Sequence, residues 1–174
     1  VPVIQALTAF AAPALSETVA AVVGLDLRST GTRLEQLRDH SLVVAQRYAV
    51  GQNRYVLLQP VREFVVERTA PAIAAAMRQR LRQWLVDFGR RQAARGLAGL
   101  PDIDAELPQV YAAILDAAAD GPDAQVQAVQ VAVSMRRHWE IDSRAGLPLA
   151  VMQALQAALP CADDRSLRAE CCIL

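Results

Sequence analysis

The sequence predicts a mainly α-helical chain with one small β-ribbon in its first half and paired helices after it. Three observations predict this. Leu34, Leu37 and Leu42 form a helical stripe interrupted at His40-Ser41, after which Val43, Val44 and Ala45 bring β-branched and small residues into an extended run. From residue 71 onward, apolar residues recur at helical spacing in every segment. With 53% apolar and 21% charged residues over 174 positions, the chain is globular and long enough for one large domain or two small ones.

Taken in order, Pro2 to Ala11 places Val3, Ile4, Leu7 and Phe10 on one helical face. Ser16 reads as the N-cap of a second helix, with Glu17 in its first turn, Val19, Val22 and Val23 along it, and a stop at Gly24. A third helix is expected from about Thr32. The two-stranded ribbon follows: Gly51-Gln52-Asn53 turns the chain, and Arg54 to Leu58 returns it. At Gln59-Pro60 a helix opens, since proline's missing N–H has no helical partner in the first turn anyway; Val61, Phe64, Val65 and Arg68 then recur at helical spacing. A lone hairpin is only marginally stable in water, so the strands must lie against the helices beside them.

Two blocks in this stretch carry a resemblance: Leu34-Glu35-Gln36-Leu37-Arg38-Asp39-His40-Ser41-Leu42-Val43-Val44, then Arg54-Tyr55-Val56-Leu57-Leu58-Gln59-Pro60-Val61-Arg62-Glu63-Phe64. They resemble the winged-helix segment that follows the nucleotide-binding domain in bacterial STAND signal-transduction ATPases, many of them LuxR-like transcriptional regulators. The resemblance implies three helices and a wing over residues 1–70. In related NB-ARC proteins a His-Asp pair opens the helix after the wing, and its His approaches the diphosphate of bound ADP. The matching positions here are Gln59 and Pro60. Gln59 keeps a hydrogen-bond donor for a phosphate oxygen, without the charge.

A long helix is expected from about Pro71 to Arg95, with Met77, Leu81, Trp84, Leu85 and Phe88 on one stripe. Arg78, Arg80, Arg82, Arg90, Arg91 and Arg95 face a single acid there, Asp87. The segment from Asp102 to Asp123 reverses this balance, with six acids and no basic residue. Folded back antiparallel across the break at 96–101, the two helices would set opposite charges side by side. Asp102, Asp104 and Glu106 lack the Gly and later Glu of a calcium loop, and suit a helix N-terminus better. The segment Pro122 to Ile141 reads as one helix, apolar on two stripes, as stacked helical hairpins require. Leu107-Pro108 with Leu115 recurs as Leu147-Pro148 with Leu155, an echo at 40 residues. Glu106 to Leu115, and Arg137-His138-Trp139-Glu140 to Gly146, resemble the entry to the same family's tetratricopeptide-like array, with Gln109, Tyr111 and Asp142-Ser143 departing from the usual wording.

All 18 basic residues are Arg, matched by 18 acids, so net charge offers no general attraction to nucleic acid or membrane. The interval from Arg28 to Arg68 holds seven Arg against Glu35, Asp39, Glu63 and Glu67, a net of +3. No apolar run approaches the ~18 residues of a membrane span. Cys161, Cys171 and Cys172 form no disulfide framework and, with His138, no metal-binding spacing. Cys171-Cys172-Ile173-Leu174 matches a prenylation box, but no polybasic run precedes it, and a chain cut inside a helix explains the same residues. Asp39-His40-Ser41 holds triad residue types that, as contiguous neighbours, cannot aim at one another. With no lysine there is no phosphate-binding loop of the G-x-x-x-x-G-K-[ST] kind.

The expected architecture is therefore mainly α: a winged-helix domain with a small β-wing over 1–70, then an α-helical, tetratricopeptide-like repeat domain over 71–174, the start of a longer array. The chain reads as a cytoplasmic, non-catalytic piece of a longer protein. The resemblance implies a switch, in which the winged helix closes over ATP or ADP held by an upstream nucleotide-binding domain while the repeats receive a small-molecule or protein inducer. Two alternatives stand beside it: a transcription factor reading DNA through the third helix, with Arg33 and Arg38 as contacts, and a plain repeat scaffold. No metal site and no membrane partner are expected.

Overall fold

The computed structural model describes residues 3–49, 52–141, 147–162 and 164–172. The chain divides into two compact units, Val1–Leu81 and Arg82–Leu174. It is mostly helical, with one small antiparallel sheet.

In the first unit, α1 (Val3–Ala6) passes into a 3-10 turn (Leu7–Ala9), followed by β1 (Ala14–Leu15), α2 (Ser16–Val23), α3 (Leu27–Asp39), β2 (Val43–Ala49), β3 (Gln52–Leu57) and α4 (Gln59–Arg68). The first helix is shorter than its periodicity suggests. Thr8 donates its hydroxyl to the carbonyl of Gln5 at 2.7 Å, a local bond that competes with the helical ladder. Val3, Leu7 and Phe10 are nevertheless buried together, while Ile4 is only half-buried.

The caps differ from expectation in two places. Ser16 is the first residue of α2 rather than its cap; Leu15 holds the cap position, with no side-chain bond. α3 begins at Leu27, five residues earlier than Thr32, because the Asp26 carboxylate accepts the Ser29 N–H at 2.9 Å. A hydrogen bond with the Ser29 side chain first, and this backbone bond second, hold the Asp26 carboxyl below its ordinary pKa. Gly24 stops α2 in the left-handed region at φ 77°, donating to the carbonyl of Ala20. α3 ends with Ser41 at φ 56°, and the Leu42 N–H then returns to the carbonyl of Leu37 at 2.9 Å.

The ribbon is three-stranded, not two-stranded, in the order β1-β3-β2. β1 pairs Ala14 with Tyr55 and Leu15 with Arg54, and β2 pairs Val43 with Leu57 through Ala49 with Gln52, with an irregularity between Arg47 and Ala49. The residues joining β2 to β3, where the turn at Gly51 is expected, lie outside the described set. Val43, Tyr55 and Leu57 point into a core with Leu7, Phe10, Val19, Val22, Leu34 and Val65.

Arg62, on α4, ties this unit together. Its Nη1 donates to the carbonyl of Thr8 at 2.9 Å, and its Nη2 to those of Phe10 at 2.8 Å and Leu7 at 3.3 Å. The end of this short helix thereby gains a charged donor, and the Leu7 carbonyl also accepts the Phe10 N–H at 3.4 Å.

α5 (Pro71–Ala94) continues through the division between the units. In the second unit it leads to a 3-10 turn (Gly96–Gly99), α6 (Leu100–Ala118), α7 (Pro122–Ser134), α8 (Arg136–Ile141), α9 (Leu149–Ala158), another 3-10 turn (Leu159–Cys161) and α10 (Arg165–Cys171). Arg82 bonds Asp116 at 3.3 Å and Arg95 pairs with Asp102, an antiparallel register in which complementary charges meet. Arg82 is 4% exposed and also donates to Gln127 Oε1 at 2.7 Å. α7 packs against α6, α9 and α10, burying Ala128, Val129, Val131 and Ala132.

Asp102 lies in the first turn of α6, at the helix N-terminus expected for these acids. Two expectations for this half change. The helix expected over 122–141 breaks at Met135, where the Ser134 hydroxyl bonds the carbonyl of Val131 at 2.7 Å and the chain starts α8 afresh. The echo at 40 residues has no structural counterpart: Pro108 lies inside α6, whereas Pro148 is the N-cap of α9. The altered Asp142-Ser143 pair and Gly146 lie outside the described residues. Among the described residues, no helix is long and apolar enough to cross a membrane.

Candidate functional site

The element order α1-β1-α2-α3-β2-β3 places α3 as the helix that a winged helix-turn-helix would present, with the β2-β3 ribbon beside it. Thr30 and Leu34 hold its inner side. Arg28, Thr32, Arg33 and Gln36 are exposed on the outer side. Asp39 also turns outward, and Glu35 is half-buried, so three Arg (Arg28, Arg33, Arg38) meet two acids along α3 and leave a net of +1.

Arg33 and Arg38, the two candidate DNA contacts, differ in environment. Arg38 is clamped: it pairs with Glu35 three residues before it and with Asp39 at 3.0 Å. The hydrogen bond to Asp39 raises its pKa, with burial opposing and Glu35 adding to the rise. Neither Arg28 nor Arg33 makes an ion pair among the described residues. On the ribbon, Arg47 is exposed, and Arg54 lies 4.2 Å over the Tyr48 ring with Nη1 3.5 Å from the carbonyl of Pro13.

Between the start of α2, α3 and β3 opens a groove of about 390 Å³, lined by Leu15, Ser16, Glu17, Leu27, Gly31, Glu35, Gln52, Asn53 and Tyr55. Tyr55 donates its hydroxyl to Glu35 Oε1 at 2.6 Å. Burial raises the pKa of this phenol most, the bond to Glu35 raises it further, and hydrogen bonds with Asn53 and Ser16 oppose the rise. No contiguous motif signalled this groove, because its walls come from three elements.

Gln59, the candidate nucleotide contact, opens α4 and is exposed, with its Nε2 donating to Glu63 Oε1 at 2.8 Å. Pro60 follows it in the first turn. The residues with catalytic or metal-binding potential are dispersed. His40 caps the end of α3 in solvent, while His138 is buried on α8 with Nε2 3.5 Å from Asp104 Oδ1 and its ring edge-on to Trp139. Cys161 donates to Gln125 Oε1, Cys171 is buried and Cys172 exposed. Among the described residues no group of three or more His, Cys, Asp or Glu is placed to hold a metal ion.

The chain matches no curated protein and no solved structure. The winged helix-turn-helix domain family, however, matches residues 2–70, which covers every element from α1 to α4. Residues 2–70 are a winged helix-turn-helix domain, and such a domain supports a DNA-binding or regulatory role.

Proposed function

We propose that this winged helix is a regulatory, protein-contacting module of a bacterial STAND-type signal-transduction ATPase, and that the helices after it begin a tetratricopeptide-like sensor. The observation that carries the reading is the neutralisation of Arg38 by Glu35 and Asp39. Duplex binding draws its affinity from cations that neutralise phosphates. Here the presented helix keeps a net charge of +1, and the adjoining groove displays two carboxylates.

In this role residues 1–70 close over ADP bound to an upstream domain of the same chain, and residues 71–174 receive the inducer, protein or small molecule. Gln59 turns its amide toward the nucleotide after exchanging its bond to Glu63 for one to phosphate. ATP and ADP are cofactors of the intact cytoplasmic protein; this part of it contributes no catalytic group. In the intact protein, Gln59→Ala speeds ADP dissociation, and an unchanged dissociation rate removes Gln59 from the nucleotide site.

A second reading, DNA contact, is favoured by Arg28 and Arg33, which stand exposed beside Thr32 and Gln36. Titrating a labelled duplex at low salt separates the two. The regulatory reading expects no saturable binding. Salt-sensitive binding that is lost on Arg33→Ala, with Arg38→Ala as the companion variant, overturns it in favour of a DNA reader.

A further inference from the structure

We infer that the groove between α2, α3 and β3 receives an arginine side chain presented by an extended segment of a partner protein. The inference does not depend on whether α3 itself meets protein or DNA.

Size comes first. About 390 Å³ lies at the small end of ligand-sized sites, room for one long side chain and not for a folded element. The α3 side of the groove is open because residue 31 is glycine, and a Cβ there would meet nothing within 4 Å.

Charge comes next. The ionisable groups of fixed sign in the lining are two carboxylates, Glu17 and Glu35, and no cationic residue lines it. Glu35 is oriented by the buried Tyr55 hydroxyl and shared with Arg38. Glu17, exposed in the first turn of α2, makes no ion pair among the described residues. Phosphate, nucleic acid and acidic peptide are disfavoured chiefly by Glu17, since Arg38 already offsets the charge of Glu35. A guanidinium fits the groove, since its planar fork bonds carboxylate oxygens and side-chain amide oxygens such as that of Asn53. Leu15 and Leu27, the latter 56% exposed, offer apolar surface to the methylene stem.

The sheet supplies the third argument. β1 covers β3 only at Arg54 and Tyr55, and the chain then leaves the sheet to start α2 at Ser16. β3 itself reaches back to Gln52, so among the described residues its edge at Gln52-Asn53 has no strand neighbour on the β1 side. An extended segment can bond that edge through its main chain while its arginine enters the groove, the usual logic of strand addition.

The test is an NMR titration of the 174-residue chain with acetyl-Gly-Arg-Gly-amide, read at the backbone amides of Glu17, Gly31 and Asn53. Saturable shifts with a Kd of about 1 mM are expected. The citrulline peptide, of the same shape without the charge, binds at least about tenfold more weakly. Glu17→Gln and Gly31→Leu each weaken binding by a similar factor while the remaining amide shifts stay in place; Gly31→Leu fills open space on a helix and leaves the fold intact. No saturation by about 20 mM, or equal binding of the citrulline peptide, overturns the inference. So does equal affinity for acetylarginine amide alone, which would assign the groove to a small organic cation instead of a polypeptide.

Discussion

Gly89 on α5 meets Ser134 at the end of α7 so closely that a Cβ at residue 89 would stand 2.6 Å from the Ser134 hydroxyl oxygen and 2.7 Å from its carbonyl oxygen. Real Cβ atoms do not approach backbone that closely, so the two helices can meet here only around a glycine. Gly89→Ala gains up to about 1 kcal/mol in helix propensity. It loses more to overpacking, about 1–3 kcal/mol. The net expectation is a lower urea midpoint, read by the fluorescence of Trp84 and Trp139, both in the second unit. Adding Ser134→Ala does not restore stability, because the obstructing carbonyl remains.

Arg62 spans three carbonyls around the first 3-10 turn, and its half-buried guanidinium has its pKa lowered by desolvation. Arg62→Ala leaves those carbonyls without their charged donor. The expected cost is about 2 kcal/mol for the first unit, within the range for hydrogen bonds to charged groups discounted for partial exposure. Arg62→Lys recovers only part of it, since a single ammonium cannot hold three separated acceptors as a planar fork does. Amide exchange at Leu7 to Phe10 measures both, with faster exchange in Ala than in Lys.

Cys171 and Cys172 are adjacent and chemically unlike. Burial pushes the Cys171 thiol up to about 11, while Cys172 is exposed. Iodoacetamide at pH 8 should therefore label Cys172 and spare Cys171 until the chain unfolds. The folded pKa lies above the ordinary 9.0, so the native state keeps a proton that the unfolded chain releases. The resulting stabilisation is complete below about pH 9 and fades as pH rises toward 11. Melting temperatures at pH 8 and pH 10.5 check the sign: the wild type loses more across that interval than Cys171→Ala.

Much of the first unit was readable from local pattern. The Val43 to Ala45 run, the return strand after residue 51 and the proline-opened helix each follow short-range rules, and β2, β3 and α4 occupy those positions. β1 was not readable, because two residues carry no periodicity and become a strand only by pairing with Tyr55 and Arg54, some forty positions away. The start of α3 was readable in principle from Asp26 three residues before Ser29, although the leucine stripe itself begins only at Leu34. The clamp on Arg38 was also legible in the three-residue spacing to Glu35. The Arg62 cradle and the groove at Gly31 were not, since both depend on segments far apart in sequence.

Pro108 has a mechanical consequence for α6. Lacking an N–H, it cannot bond the carbonyl of Asp104 as a helical residue in its place would, so one backbone rung of this nineteen-residue helix is missing. Side chains secure the N-terminal turns in its stead: Arg95 holds Asp102, and Ile103 and Glu106 are as deeply buried as Val110 and Ile114 further along.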